Sequence, residues 1–370
     1  MMRSAFYISH ALSLIFLTTT VIFGADSSFP PPEKNDTIKI GLLISDNRST
    51  SALHGAEMVI RETNEKGGIN GHPVALIFRS MEGPWGTGSK QAVDLIFKEK
   101  VWAILGSHDG RNAHLAEQVT AKTRVVFLSA WAGDPTLSQA FVPWYFSCVP
   151  NSNQQAEALI HEIYDKRNLK EITVISDSSY DSEKGMKSFV NKITATKKPT
   201  PVLFRYSNPT NTGIKLKKAN NDCIVIFANS YSTIKIISEL KNADYTAPVF
   251  CSLSLMGEKE LTGIDLKTAE GVIFISSGHC FNSKGITFRN SFQNLYGYLP
   301  GPVAAYAYDG MSVLVEAIKK AEPDRDTTQK NVMSLQYKGV TGTITFDERG
   351  NRTGPVNLMV IKNGVPVKIE

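Results

Sequence analysis

The stretch WAILGSHDGRNAHLAEQVTAKTRVVFLSA, residues 102–130, decides the fold. It opens on a short apolar run, WAILG, of the length and β-rich character of a strand buried on both faces. NAHLAEQVTAKT follows with Ala113, Ala116 and Val119 at helical spacing, and RVVFLSA returns to strand composition. Strand, helix and strand at this spacing require a right-handed crossover between parallel strands.

The alternation continues in both directions. Upstream, TIKIGLLI (37–44) and PVALIFR (73–79) read as strands, with SALHGAEMVIRETNEKG (51–67) and SKQAVDLIFKEK (89–100) as helices. Gly67-Gly68 ends a helix and precedes a strand. It therefore reads as a C-cap turn and not as a phosphate loop, which runs from strand to helix. A second series starts after residue 154. Strands are expected at EITVISD (171–177), PVLFRY (201–206), DCIVIFA (222–228), APVFCS (247–252) and EGVIFISS (270–277), with helices between, one of them running to Ala219. FRNSFQNLYGY and AAYAYDGMSVLVEAIKKA add two helices, and the chain closes on two extended segments, the second with an Asn363-Gly364 turn. The fold class is α/β, with two Rossmann-like lobes of open parallel sheet, each of about four strands. Ligands in such sheets gather where strand carboxyl ends lead into helices. The segments so marked are 45–48, 81–85, 107–112 and 129–133 in the first series, and 177–180, 229–231 and 252–254 in the second.

The 370 residues suit two domains, and a formal charge of +5 with Lys and Arg scattered among Asp and Glu gives no basic stripe for nucleic acid. Residues 1–24 have the layout of a signal peptide: Arg3, an apolar stretch to Phe23, then Gly24-Ala25. No later stretch is long and apolar enough to span a bilayer. Cys148, Cys223, Cys251 and Cys280 form no CxxC or CxxH pattern, which speaks against zinc. Cys223 reads as a buried strand thiol, and pairing of Cys251 with Cys280 at the ends of neighbouring strands stays open.

Chemistry finds little support. His108, Asp109 and His114 lack metal-ligand spacing, no GxSxG elbow is present, and the first strand is followed by no dinucleotide fingerprint. Binding remains. In residues 107–112, Asp109 or Asn112 can act as an N-cap, Gly110 permits close backbone approach, and Arg111 is either solvated or a ligand contact. Trp131 is either core or an aromatic pocket wall.

Four segments in order, HGAEMVIRETNEKGGINGHPVALIF (54–78), WAILGSHDGRNAHLA (102–116), RVVFLSAWAGDPTLS (124–138) and FDERGNRTG (346–354), resemble the type I periplasmic solute-binding proteins of the leucine/isoleucine/valine-binding family. The resemblance spans about residues 37–370. It implies two lobes joined by three crossovers: 36–149 plus 278–336, and 150–277 plus 337–370. Hinges would fall near Val149-Pro150, Ser276–Gly278 and Lys338-Gly339. It further implies a secreted, periplasmic monomer that closes on a small molecule and delivers it to an ABC permease/ATPase complex in the inner membrane. A ligand sensor of the same fold is the alternative. No enzyme activity, cofactor, metal or nucleic-acid partner is expected.

Amino-acid binders of that family use a Ser, a Thr, an acidic residue and a Tyr, and these positions match Gly110, Gly133, Ser254 and Tyr231. With three of the four groups missing, the expected solute is amino-acid-like or another small carboxylate, aromatic or amide. The candidate ligand residues are Glu82, His108, Asp109, Gly110, Arg111, Asn112, Ser129, Ala130, Trp131, Tyr180, Asn229, Tyr231 and Ser254.

Overall fold

The structure, a computed structural model, describes residues 36–46, 49–106, 109–207, 221–256, 266–276, 278, 282–321 and 324–369. The signal-like segment, His108, Cys280 and the stretch before Ala219 therefore lie outside the described residues.

The first sheet is built from β1 (Ile38–Ile44), β2 (Val74–Ser80), β3 (Ala103–Gly106), β4 (Val126–Ser129) and β5 (Tyr145–Ser147), in the order β2-β1-β3-β4-β5. Every pairing in it is parallel. Helices α1 (Thr50–Glu65), α2 (Thr87–Val93), α3 (Gly110–Thr123) and α4 (Thr136–Gln139) make the connections. The β3 and β4 residues are all buried, as a strand covered on both faces must be.

The second sheet continues with α5 (Ser152–Ile160), β6 (Ile172–Ser176), α6 (Tyr180–Ala195), β7 (Val202–Arg205), β8 (Cys223–Phe227), α7 (Ser230–Asn242), β9 (Val249–Cys251) and β10 (Ile273–Ser276). The chain then returns to the first lobe through α8 (Ser283–Tyr296), α9 (Pro302–Lys320) and α10 (Arg325–Ser334). It ends with β11 (Tyr337–Gly339), β12 (Gly342–Ile344), β13 (Asn357–Lys362) and β14 (Val365–Lys368). The second sheet runs β14-β13-β10-β9-β8-β6-β7, and β11 and β12 form a separate two-stranded ribbon.

Two features differ from the sequence reading. The three-residue β5 adds a fifth parallel strand, and a run that short carries no periodicity to detect. The second sheet is not wholly parallel, because β13 pairs antiparallel to β10 and β14 antiparallel to β13. The β13–β14 turn holds Asn363 at φ 52° and Gly364 at φ 74°, the doubly left-handed turn that Asn-Gly favours. Gly67 and Gly68, at φ 93° and 78°, form the expected turn after α1. Cys251 is a free, buried thiol.

Helix α9 is the axis of the first lobe. Nearly all of it is buried, with Pro302 at its start, where a missing N–H costs nothing. Its Asp309 is fully buried and accepts hydrogen bonds from Val340 N (2.8 Å), Thr341 N (2.8 Å) and Thr341 Oγ1 (2.5 Å). Burial raises the Asp309 carboxyl above the ordinary range, opposed by these three donors. The crossover strands are also tied by Arg352, whose guanidinium donates to Cys148 O (2.9 Å), Thr341 Oγ1 (2.9 Å) and the carbonyls of Thr341 and Thr343 (both 3.1 Å). Asn151 Nδ2 donates to Asn351 Oδ1 (3.0 Å) beside it.

Helix α1 lies against α9 so closely that a Cβ on Gly55 would stand 2.3 Å from the Ala304 carbonyl oxygen. Gly55→Ala must push two helix backbones apart. It is expected to cost about 1–3 kcal/mol, read from the shift in denaturant midpoint; an unchanged midpoint would show that the two helices separate freely.

Candidate functional site

The carboxyl ends of β1, β3 and β4 face those of β6, β8 and β9 across a cavity of about 270 Å³. Its wall comes from both lobes: Ser45, Asp46, Ser49, Asp109, Trp131 and Gly133 on one side, and Ser152, Gln155, Ser179, Asp181, Ser182, Gly185, Phe227, Asn229, Ser230, Ser252, Leu253 and Ser254 on the other. Parallel sheets force this placement, because every strand-to-helix loop emerges at the same edge.

Asp109 is the N-cap of α3, accepting from Asn112 N at 2.7 Å. Its other oxygen takes Ser45 Oγ at 2.7 Å and Asn112 Nδ2 at 2.9 Å, which ties the end of β1 to α3. Asn229 likewise caps α7 through Ser232 N (2.9 Å), while its own Nδ2 donates to Asp177 Oδ2 (2.6 Å). Gln155, on the first turn of α5, donates to Pro150 O (2.8 Å) and accepts from Leu253 N (3.1 Å), linking crossover and wall. Trp131 packs edge-on against Tyr306 of α9, so the indole is half-buried and still borders the cavity.

The lobes touch directly at the cavity rim. Asp181, on the first turn of α6, accepts a hydrogen bond from Gly110 N at 3.0 Å. Tyr180 donates its hydroxyl to Asp134 Oδ2 at 2.7 Å, and Lys184 Nζ lies 3.6 Å from the same oxygen. Asp134 also accepts from Thr136 N (2.9 Å) and Thr136 Oγ1 (2.7 Å) and meets His114 Nε2 at 3.3 Å. Burial is the largest single effect on this carboxyl and would raise it. The His114 partner, the Thr136 donors and the Tyr180 hydroxyl together outweigh burial and hold it well below the usual range. His114 answers in kind: the Asp134 bond first, then Glu117, lift its imidazole to about 9 against the opposing cost of burial.

Of the candidate residues, the structure brings Asp109, Trp131, Asn229 and Ser254 to the cavity wall. Gly110 and Tyr180 form the rim contact, and Asn112 supports Asp109 from behind. Ser129 and Ala130 are buried beneath the wall, where Ser129 Oγ accepts from Ala132 N (3.2 Å). Glu82 is exposed and off the wall, and Arg111 lies over the exposed Trp85 ring, 5.1 Å from its centroid. Tyr231 is 58% exposed on the outer side of α7, under Lys235. His108 lies outside the described residues.

Sequence reasoning missed Ser49, Ser152, Gln155, Asp181, Ser182, Gly185 and Phe227. Asp181 falls one position past the marked segment 177–180. Gln155 reaches the wall from a crossover and not from a strand end, and no local signal announces that. Among the described residues, no group of His, Cys, Asp and Glu is arranged to hold a metal ion, and no helix is long and apolar enough to cross a membrane.

Two lobes of mostly parallel sheet meet across a polar cavity lined at their strand ends. The chain belongs to the family described as "Periplasmic binding protein", whose model matches residues 37–365, a family of binding proteins and not of enzymes. It is similar in fold to the branched-chain amino acid substrate-binding protein LivJ of Streptococcus pneumoniae in complex with isoleucine. That likeness has a TM-score of 0.79 at 21% identity and covers 90% of this chain and 100% of that one. A solute-binding protein of an ABC transporter from R. palustris, in complex with benzoate, gives a TM-score of 0.77 at 16% identity, over 90% and 96% of the two chains. A curated relative, glutamate receptor 2.4 of Arabidopsis thaliana, is 23% identical over 272 residues. The match takes 68% of this chain but spans only 30% of that receptor.

Two outcomes follow from the rim. The elevated His114 pKa means that the His114–Asp134 pair stabilises the fold fully below the free imidazole value and is lost as pH rises through about 9. His114→Gln should therefore lower stability at pH 6 and cost little at pH 10, and the His114 ring protons should titrate near pH 9 by NMR. A Cβ on Gly110 would stand 2.7 Å from Asp134 Cβ and 2.9 Å from Asp181 Oδ1. Gly110→Ser should hold the lobes apart, seen as a larger radius of gyration by small-angle scattering with an unchanged far-UV circular dichroism spectrum; an unchanged radius would show that the rim contact does not set closure.

Proposed function

We propose that this protein captures a small solute between its two lobes and hands it to an ABC importer. The carrying observation is the cavity lined by both lobes at the strand carboxyl ends, since a solute seated there touches both walls at once and favours the closed form by that difference in contact. The family supports the reading, as do the solved likenesses, whose printed descriptions name isoleucine and benzoate as their own ligands.

The lobes we assign are 36–149 plus 278–336 and 150–277 plus 337–370, hinged near residues 149–150, 276–278 and 338–339. In this reading residues 1–24 direct export and the mature chain acts outside the cytoplasm. Asp109, Trp131, Asn229 and Ser254 contact the solute, with Gly110 and Tyr180 closing the rim. A second reading, a sensor that passes lobe closure to a receptor partner, is favoured by the match to glutamate receptor 2.4. Reconstitution with ABC permease and ATPase subunits separates the two: solute uptake that depends on this protein supports the importer, and none supports the sensor.

The binding reading is tested with the solute that co-purifies with the protein. It is removed by unfolding and refolding, identified by mass spectrometry and added back. At 100 times its Kd it should stabilise the chain by about 2.7 kcal/mol. Gly133→Phe, which places a ring in the cavity, should abolish that gain. Equal stabilisation of both proteins would place the solute elsewhere and overturn the reading.

A further inference from the structure

We propose that the interlobe cavity takes a small organic cation, an amine or quaternary ammonium bearing no carboxylate, with Asp181 as its main counter-charge. The proposal rests on the solute-binding reading above and specifies its substrate class.

The wall's charge comes first. Asp46, Asp109 and Asp181 all border the cavity, and no Lys, Arg or His is among its described lining residues. Asp181 sits between the lobes with Oδ1 engaged by Gly110 N, while among the described residues no hydrogen bond reaches its Oδ2. Among the described residues, the charged groups facing it are Asp109 and Asp134 from the first lobe and Lys184 from its own helix. Lys184 lies 3.6 Å from Asp134 and over the Tyr180 ring, so its ammonium is shared and stands outside the cavity. Burial, then the neighbouring Asp109, push the Asp181 carboxyl up to about 7. Closing the lobes on an ionised Asp181 is therefore unfavourable until a positive charge enters.

The helix ends give the second argument. An anionic solute would seek free N–H donors at a helix start. At α3 two of these are already spent on the chain's own carboxylates, Gly110 N on Asp181 and Asn112 N on Asp109. A solute carboxylate arriving there would meet two carboxylates in place of donors.

The third argument is what else borders the cavity. Ser49 and Ser252, each less than a tenth exposed, add small polar side chains to the cavity wall. Trp131 and Phe227 supply aromatic walls, on which an ammonium gains further attraction. Carboxylate, hydroxyls and rings together fit an ammonium with a short polar or aromatic tail. That sets aside the carboxylate-bearing members of the range expected from the sequence, which ran from amino-acid-like solutes to small carboxylates, aromatics and amides.

The test is calorimetric titration of the refolded protein with choline, putrescine and 2-phenylethylamine, set against benzoate and leucine at equal ionic strength. The expected result is binding of at least one cation and of neither benzoate nor leucine. Asp181→Asn should weaken the bound cation roughly thirtyfold or more, and Asp181→Glu, which keeps the charge, should recover part of the affinity. Binding of benzoate or leucine with no cation bound would overturn the cation class while leaving solute capture intact. Full cation affinity in Asp181→Asn would also overturn it. Binding of none of the five overturns it too, and the Gly133→Phe experiment then decides separately whether the cleft binds any solute.

Discussion

The Asp134 carboxylate is the group through which the two lobes meet at the cavity rim. Its side chain is fully buried at the cavity rim, where an isolated charge would be costly. It persists ionised because four neighbours answer it: His114 and Thr136 from its own lobe, Tyr180 and Lys184 from the other. Two of the four come from across the rim, so the contact between lobes supplies donors to a buried charge. The rim is an electrostatic contact between lobes as well as a steric one.

The cavity inherits its character from this contact. Gly110 has no side chain where any Cβ would collide with Asp134 and Asp181, so α6 can bring its first turn onto the start of α3. The second lobe thereby contributes a carboxylate to a place where a helix start alone would favour an anion. Behind the cavity, Asp309 and Arg352 hold the crossovers in register through backbone groups of residues 340, 341, 343 and 148.

The sheets were legible because strands buried on both faces write themselves as short apolar runs, as AILG and VFLS do. The β5 strand was not, since YFS is too short to show a pattern, and the antiparallel pairing of β13 depends on where the chain returns. The cleft segments followed from topology, which is why Asp109, Trp131, Asn229 and Ser254 were found. Arg111 and Tyr231 show the limit: both sit beside wall residues in sequence, yet helix geometry turns them outward, one onto Trp85 and one under Lys235.

By itself the sequence determined the α/β alternation, the two-lobe plan and the loops that face the cleft. All three follow from hydrophobic period and strand-to-helix order, which are local properties. Only the tertiary structure decided the chemistry of the site. Asp181 and Asp134 lie far apart along the chain, and nothing local marks either as a rim residue. They become one when folding sets α6 against α3, because burial and proximity, and not residue type, fix the charge that a carboxylate carries. Within the loop that follows β3, Asp109 and Gly110 show this: one borders the cavity and the other meets Asp181 from across the rim.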